Sequence, residues 1–268
     1  MKQQDNLFGI QKTCYTKNNK SGEQFMKVTG ICILLSGELE AYDGVTKYRY
    51  VKGDIVLFKK NTLIRFVKYA SATQPFEAIS IILEDDILKE FATKNKITSS
   101  TVAKESLYKL SNTKLLQDYF YTLESWFEYP ISEALSTLKK EEIIHLILLN
   151  NTTYQDALFQ FDSPGKINLE AFMNQNFRFN VPLTQFAFLT GRSLATFKRD
   201  FEKTFHTSPS RWLQQKRLEE AYFLLETKRM KANEVYLEVG FETLSHFSFA
   251  FKKLFGIPPT ALKTSSIE

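Results

Sequence analysis

The chain is short of several things, and each shortage removes a class of protein. It holds two cysteines in 268 residues, Cys14 and Cys32, and no C-x-x-C. Two cysteines cannot form a disulfide framework, and a redox or zinc-ribbon motif has no ligand pairs to use. Reduced thiols fit a cytoplasmic protein, which is the localisation expected. The three histidines, His145, His206 and His246, include no H-x-H pair, so the His-rich set of a metal-dependent enzyme is missing and no cofactor is expected. Glu142-Ile143-Ile144-His145 matches half of a di-iron helix motif, but that site needs two such helices and further glutamates. No G-x-S-x-G, Walker A or G-x-G-x-x-G occurs. The residues Met1 to Asn6 lead into no apolar run, so no signal peptide is expected. The apolar stretch Ile143–Leu149, broken by His145, is far short of the roughly 20 residues of a membrane span. These absences point away from an enzyme and from a membrane protein.

What is present fits two globular domains. Hydrophobic residues are 43% and 24 are phenylalanine, enough apolar bulk for two cores in a chain of this length. The net charge is only +5, but it is unevenly spread. Residues 1–163 carry 20 basic and 20 acidic side chains, whereas residues 164–268 carry 15 and 10. A neutral module joined to one that binds a polyanion is the natural reading.

From about residue 28 to 84 the texture is β. Short apolar or alternating stretches are separated by turn signals at Gly37-Glu38, Asp43-Gly44, Gly53-Asp54 and Lys60-Asn61, which predicts a small antiparallel barrel or sandwich. After Glu84 the pattern turns helical. Helices are predicted from Asp85 to about Lys94, from an Asn112 or Thr113 cap to Glu128, and from Ser132 to Leu149 with Leu135, Leu138, Ile143, Leu146 and Leu149 on the apolar face. Residues 151–167 read as a linker ending in Ser163-Pro164-Gly165. The expected organisation is therefore 1–150, a 151–167 linker, and 168–268. In the last part, helices are expected near 168–176, 183–190, 193–206, 209–227, 232–239 and 243–255.

That last part contains a repeat. Phe197, Phe201, Phe205 and Pro209 recur 50 residues later as Phe247, Phe251, Phe255 and Pro259. Each copy follows a short helical pattern ending in glycine, Gly191 or Gly240, which can take the left-handed turn that stops a helix. Ser193 or Thr243 can then cap the next helix. Phenylalanines at i, i+4 and i+8 commit one face to a core and leave the other free. This is a helix-turn-helix layout, present twice.

Residues 168–263 resemble the DNA-binding domain of the AraC/XylS family of transcription regulators. The resemblance rests on Val239-Gly240-Phe241-Glu242-Thr243, Phe247, Phe251-Lys252-Lys253 and Phe255-Gly256-Ile257-Pro258-Pro259, with Trp212-Leu213, Arg217-Leu218, Ala221 and Leu224-Leu225 on the helix between the units. It implies two recognition helices set into successive major grooves on one face of the duplex. On the first, the free face is expected to show Arg192, Ser193, Ala195, Thr196, Lys198 and Arg199. The resemblance sets Ala195, Lys198 and Arg199 nearest the base edges, where Lys and Arg pair well with guanine acceptors. On the second the free positions are Leu244, Ser245, His246, Ser248 and Phe249, followed by Lys252 and Lys253. A basic residue is common in the family where Phe249 stands, so this helix is expected to contribute less base readout and more phosphate anchoring. Tyr236 stands where the family often has a small residue, so a local shift is expected there. Arg217 is either near the DNA or a brace of the linking helix.

The stretch Gly30–Tyr69 resembles the cupin-like barrel at the front of many family members. The whole is thus expected to be an α+β protein of two domains. A cupin-like barrel with a helical dimerisation or partner region precedes an all-α domain with two helix-turn-helix motifs joined by a long helix. Two roles stay open for residues 1–150. One is a small-molecule effector site lined by residues such as Tyr48, Tyr50, Phe58 and Phe66. The other is a scaffold whose helices 113–128 and 132–149 form a homodimer or accept a regulatory protein. The resemblance implies promoter DNA and RNA polymerase as partners and activation as the output. The rival reading is a small-molecule-binding or enzymatic barrel with an accessory nucleic-acid module.

Overall fold

A computed structural model describes residues 2–20, 24–71, 73–98 and 105–263. The chain divides into two compact units, up to Asp162 and from Ser163.

The first unit is built on a six-stranded antiparallel sheet of order β1-β2-β11-β5-β8-β12. Its strands are β1 (Lys2–Leu7), β2 (Ile10–Tyr15), β5 (Thr29–Ser36), β8 (Ile55–Phe58), β11 (Phe76–Leu83) and β12 (Leu107–Leu110). Strand alternation decides what each face covers. Ile31 and Ile33 of β5, Ile55 and Leu57 of β8, and Ile79, Ile81 and Leu83 of β11 face a helical layer. That layer is α1 (Asp85–Lys94), α2 (Lys114–Trp126), α3 (Glu133–Asn150) and α4 (Gln155–Leu158), contributing Leu88, Phe91, Phe120, Leu123, Ile143 and Ile147. Cys32, Leu34, Val56, Phe76 and Ala78 point the other way, onto Leu39, Ala41 and Tyr50. Those belong to a second sheet of order β3-β10-β6-β7, made of β3 (Asn19–Lys20), β6 (Glu38–Tyr42), β7 (Lys47–Val51) and β10 (Arg65–Tyr69). A two-stranded ribbon pairs β4 (Phe25–Met26) with β9 (Thr62–Leu63).

The α+β class is as expected, but the strands of the described residues form separate sheets and no closed barrel. Tyr50 belongs to the core between the sheets, and Tyr48, Phe58 and Phe66 pack against it. The Phe58 and Phe66 rings meet edge-on at 6.4 Å. The four rings offered as an effector lining are therefore core side chains.

Three further expectations are corrected. The first is the start of the β region, which begins at β1 and not near residue 28. Strand β1 is Lys-Gln-Gln-Asp-Asn-Leu, a polar edge strand without apolar alternation, so pattern alone does not mark it. Its hairpin turns at Phe8 and Gly9, both at positive φ, as tight hairpins require. The second is the linker. Tyr154, Ala157, Leu158 and Phe159 are buried in the helical-side core, so residues 151–161 belong to the first unit. A single turn is too short to reveal periodicity. The third is the buried face of α3. Ile143, Ile144 and Ile147 are buried, whereas Leu138 and Leu149 are 60% and 74% exposed. The inward face also carries polar groups, Ser136 and Lys140, which hid it from a hydrophobic count.

The first of these polar groups holds the first hairpin, and the second lies beside it. The Ser136 hydroxyl donates to the Leu7 and Phe8 carbonyls at 3.1 and 3.3 Å. Lys140 is buried and donates to both Glu84 oxygens at 2.9 and 2.7 Å. A Cβ on Gly9 would lie 2.6 Å from the Lys140 ammonium, so glycine also gives the close approach. Replacing Glu84 by alanine would strand a buried ammonium. Because Glu84 itself is part-exposed, we expect a loss of about 2–3 kcal/mol, below the range for a fully buried pair. Urea unfolding of the variant measures it.

Candidate nucleic-acid interface

The second unit contains α5 (Leu169–Asn176), α6 (Leu183–Leu189), α7 (Leu194–Phe205), α8 (Pro209–Glu226), α9 (Ala232–Glu238) and α10 (Leu244–Phe255). Every helix expected from the sequence is there, within one or two residues at each end. The helix α6, a turn and α7 form one helix-turn-helix. The helices α9 and α10 form the other, and α8 lies between them in the chain.

In the first copy Gly191 sits at φ +65, and a Cβ there would fall 2.4 Å from the Gly165 backbone. Ser193 caps α7, its hydroxyl accepting from the Thr196 N–H at 3.2 Å. Phe197, Phe201 and Phe205 stack inward in sequence, at ring separations of 5.7 and 4.3 Å. Trp212 near the start of α8 closes the row, 4.7 Å from Phe205. The second copy repeats the arrangement. Gly240 sits at φ +90, and Thr243 caps α10 by accepting from the His246 N–H. The rings of Phe247, Phe251 and Phe255 are 5.6 and 4.7 Å apart. Tyr222, near the end of α8, closes this row 4.9 Å from Phe255. One 18-residue helix thus supplies the last ring to both cores.

The copies differ in the turn. Two residues follow Gly191 before α7, whereas three follow Gly240 before α10. The extra space in the second is filled by Phe241, buried against Phe247 at 5.3 Å. In the first, Arg192 takes the equivalent place with hydrogen bonds. Its guanidinium donates to Asp200 at 3.0 Å and to the Thr190 and Ile167 carbonyls at 2.7 and 3.1 Å. Its side chain is only 7% exposed. Arg192 is therefore not on a free face as expected, but plugs the turn. The hydrogen bond from Arg192 holds the Asp200 carboxyl below the usual carboxylate range, helped by Lys166 and Arg199 and opposed by partial desolvation.

Arg217, at mid-α8, resolves as a brace. Its three nitrogens donate to the Phe177, Phe179 and Gly240 carbonyls at 2.7, 2.7 and 3.1 Å. The first two carbonyls lie in the loop between α5 and α6, and the third in the turn of the second copy. Arg178 of the same loop pairs with Glu220 of α8. A Cβ at position 240 would meet the Arg178 carbonyl oxygen at 2.4 Å, so the glycine permits this closure. Burial pulls the Arg217 pKa down to about 10, which leaves it cationic at neutral pH.

Ala195, Lys198 and Arg199 are among the outward residues of α7, with Glu202, Lys203 and Thr204 further along it and Thr196 half-buried beside its cap. Arg199 is 77% exposed and only loosely near Asp200, at 3.8 Å. On α10 the outward residues are Ser245, His246, Phe249, Lys252 and Lys253, with Ser248 half-buried. Phe249 is 70% exposed, a large apolar side chain with no core to fill. His246 leans edge-on against Phe241 at 5.4 Å. Tyr236 is half-buried against the second core. At the half di-iron motif, His145 packs on Phe91 at 4.5 Å and Glu142 pairs with Lys139 at 2.6 Å. Among the described residues, no group of three or more His, Cys, Asp or Glu is arranged to hold a metal.

Two helix-turn-helix units carried by one helix, with exposed cations on the second helix of each, make the chain a DNA-binding transcription regulator. Comparison with known proteins agrees. A helix-turn-helix domain family matches residues 186–265, and the family described as the ExsA N-terminal regulatory domain matches residues 29–159. Similar proteins include the virulence regulon transcriptional activator VirF of Yersinia enterocolitica, 22% identical over 89% of this chain and 90% of that one. The regulator ExsA of Pseudomonas aeruginosa is 22% identical over 87% and 85%. A crystal structure of apo ToxT from Vibrio cholerae aligns over 97% and 98% at 14% identity, with a TM-score of 0.47. These likenesses agree with the resemblance of residues 168–263 to the AraC/XylS family of regulators.

The brace predicts a clear stability phenotype. Arg217→Ala should cost about 3–5 kcal/mol, since it leaves three part-buried carbonyls without their shared donor. Arg217→Lys should recover little, because an ammonium cannot span carbonyls on two loops as a planar fork does. Thermal unfolding of both variants checks this.

Proposed function

We propose that this regulator binds promoter DNA with α7 and α10 in successive major grooves, and that it activates transcription through contact with RNA polymerase. The observation that carries the reading is the paired architecture itself, with Lys198 and Arg199 exposed on the outward face of α7. Both are exposed donors on that face, and their chemistry suits guanine O6 and N7. Ser193 and Thr196 would contribute at the helix start. On α10, Ser245, His246, Ser248, Lys252 and Lys253 offer phosphate donors, and Phe249 offers an apolar surface for a thymine methyl. Arg192 supports the site by holding the turn. The activator role is supported by the name of the VirF relative.

The first unit is proposed to regulate the second, in line with the family description of residues 29–159 as a regulatory domain. Its exposed Leu138 and Leu149 on α3 favour a protein contact there, a second copy of the chain or a regulatory protein, over a small-molecule effector among the core rings. The site of action is the cytoplasm, where the promoter is.

Gel-shift titration of the full chain tests the reading, with salt varied. Sequence-selective, salt-sensitive binding is expected, whereas failure to bind any duplex would sink it. Lys198→Ala and Arg199→Ala should each weaken binding by about 1–3 kcal/mol and relax site preference. Lys252→Ala should instead weaken binding to all sequences alike and reduce the salt slope by about 1.

A further inference from the structure

The repeat supplies an internal control for what the fold alone needs, and at one place the first copy departs from it. After α10 the chain reverses at Gly256, at φ +78. The matching residue after α7 is His206, at φ +54, a left-handed conformation that favours glycine. Five residues on, Arg211 stands in the first turn of α8, where no acidic residue is found and where the helix dipole disfavours a cation. Its counterpart in the second copy is Ala261. Folding accounts for neither His206 nor Arg211.

Both side chains line a cavity of about 510 Å³ with Thr207, Lys216 and Glu219, over Phe205 and Trp212. Glu219, the carboxylate of the cavity, is engaged by Gln215 at 2.9 Å and lies 3.8 Å from Lys216. His206 and Arg211 are exposed. The cavity thus offers an imidazole, a hydroxyl and a guanidinium at the start of a long helix, a donor set suited to an anion.

We propose that this cavity holds a phosphate of the DNA backbone beside the first recognition helix, bound by His206, Thr207 and Arg211. The proposal rests on the DNA reading above and extends it beyond the two recognition helices. The placement along α7 favours DNA over a free anion. His206 lies seven residues after Arg199, two helical turns, so it falls on the same side and about 10 Å further along the axis. The major groove is about 12 Å wide. With Arg199 at the base edges, the end of α7 comes to the sugar-phosphate wall.

His206→Gly separates folding from binding, since glycine suits this turn. In the full chain it should raise the Tm by about 2–4 °C yet weaken binding to a selected duplex several-fold. Arg211→Ala should weaken binding about tenfold and flatten the salt slope by about 1. Arg199→Ala is the control. If it weakens binding while His206→Gly and Arg211→Ala bind as the parent does, the phosphate site is overturned and the recognition-helix reading stands. If DNA binding survives in these two variants and only promoter activation is lost, an acidic protein surface is the occupant and the proposal is again overturned. If all three variants bind as the parent does, the recognition-helix reading itself fails.

Discussion

The DNA-binding unit depends on one half-buried cation that bridges its loops. Arg217 draws together carbonyls from the loop before the first helix-turn-helix and from the turn of the second. Two of these carbonyls lie two residues apart on one loop, and the third is in a turn far along the chain. A guanidinium is planar, permanently charged and able to donate in several directions at once, so it can satisfy all three from mid-helix. Gly240 follows from that constraint, since a side chain there would strike the Arg178 carbonyl. So does the use of α8 as common support, with Trp212 closing one phenylalanine row and Tyr222 the other. The proposed placement of both helices on one duplex needs a fixed separation, and this arrangement fixes it within the unit.

The two copies share their interiors and differ on their surfaces. Ring separations along the phenylalanine rows agree to within 0.4 Å, because burial of large rings leaves little freedom. The turns reach stability by different chemistry, Arg192 through hydrogen bonds and Phe241 through apolar burial. Outward positions diverge further: Lys198 and Arg199 on α7 stand where α10 has Ser248 and Phe249. That divergence fits helices with unequal shares of base readout and backbone contact.

Much of this was legible in the sequence, and what was missed has physical causes. The helices of the second unit, their caps and the left-handed glycines follow from local rules of periodicity and backbone freedom. The polar edge strand β1 carries no periodicity of its own. It exists because β2 pairs with it and Ser136 of α3 anchors its hairpin, more than 120 residues away. The inward face of α3 was misjudged for the same reason: polar residues were buried by distant partners. His206 and Arg211 could have been flagged by aligning the two copies past their last phenylalanine, where one has glycine and alanine and the other does not.

By itself, then, the sequence determined the two-unit organisation, the duplicated helix-turn-helix and the basic character of its second half. These depend on residue spacing and composition, which act locally or add up along the chain. Tertiary structure alone decided that the β region is an open stack of sheets, that residues 151–161 belong to the first core, and that Arg192 and Arg217 are braces while Lys198 and Arg199 stay exposed. An arginine reads alike on any helix. Whether it meets backbone carbonyls or water depends on loops brought to it from 20 to 40 residues away, and only folding brings them there.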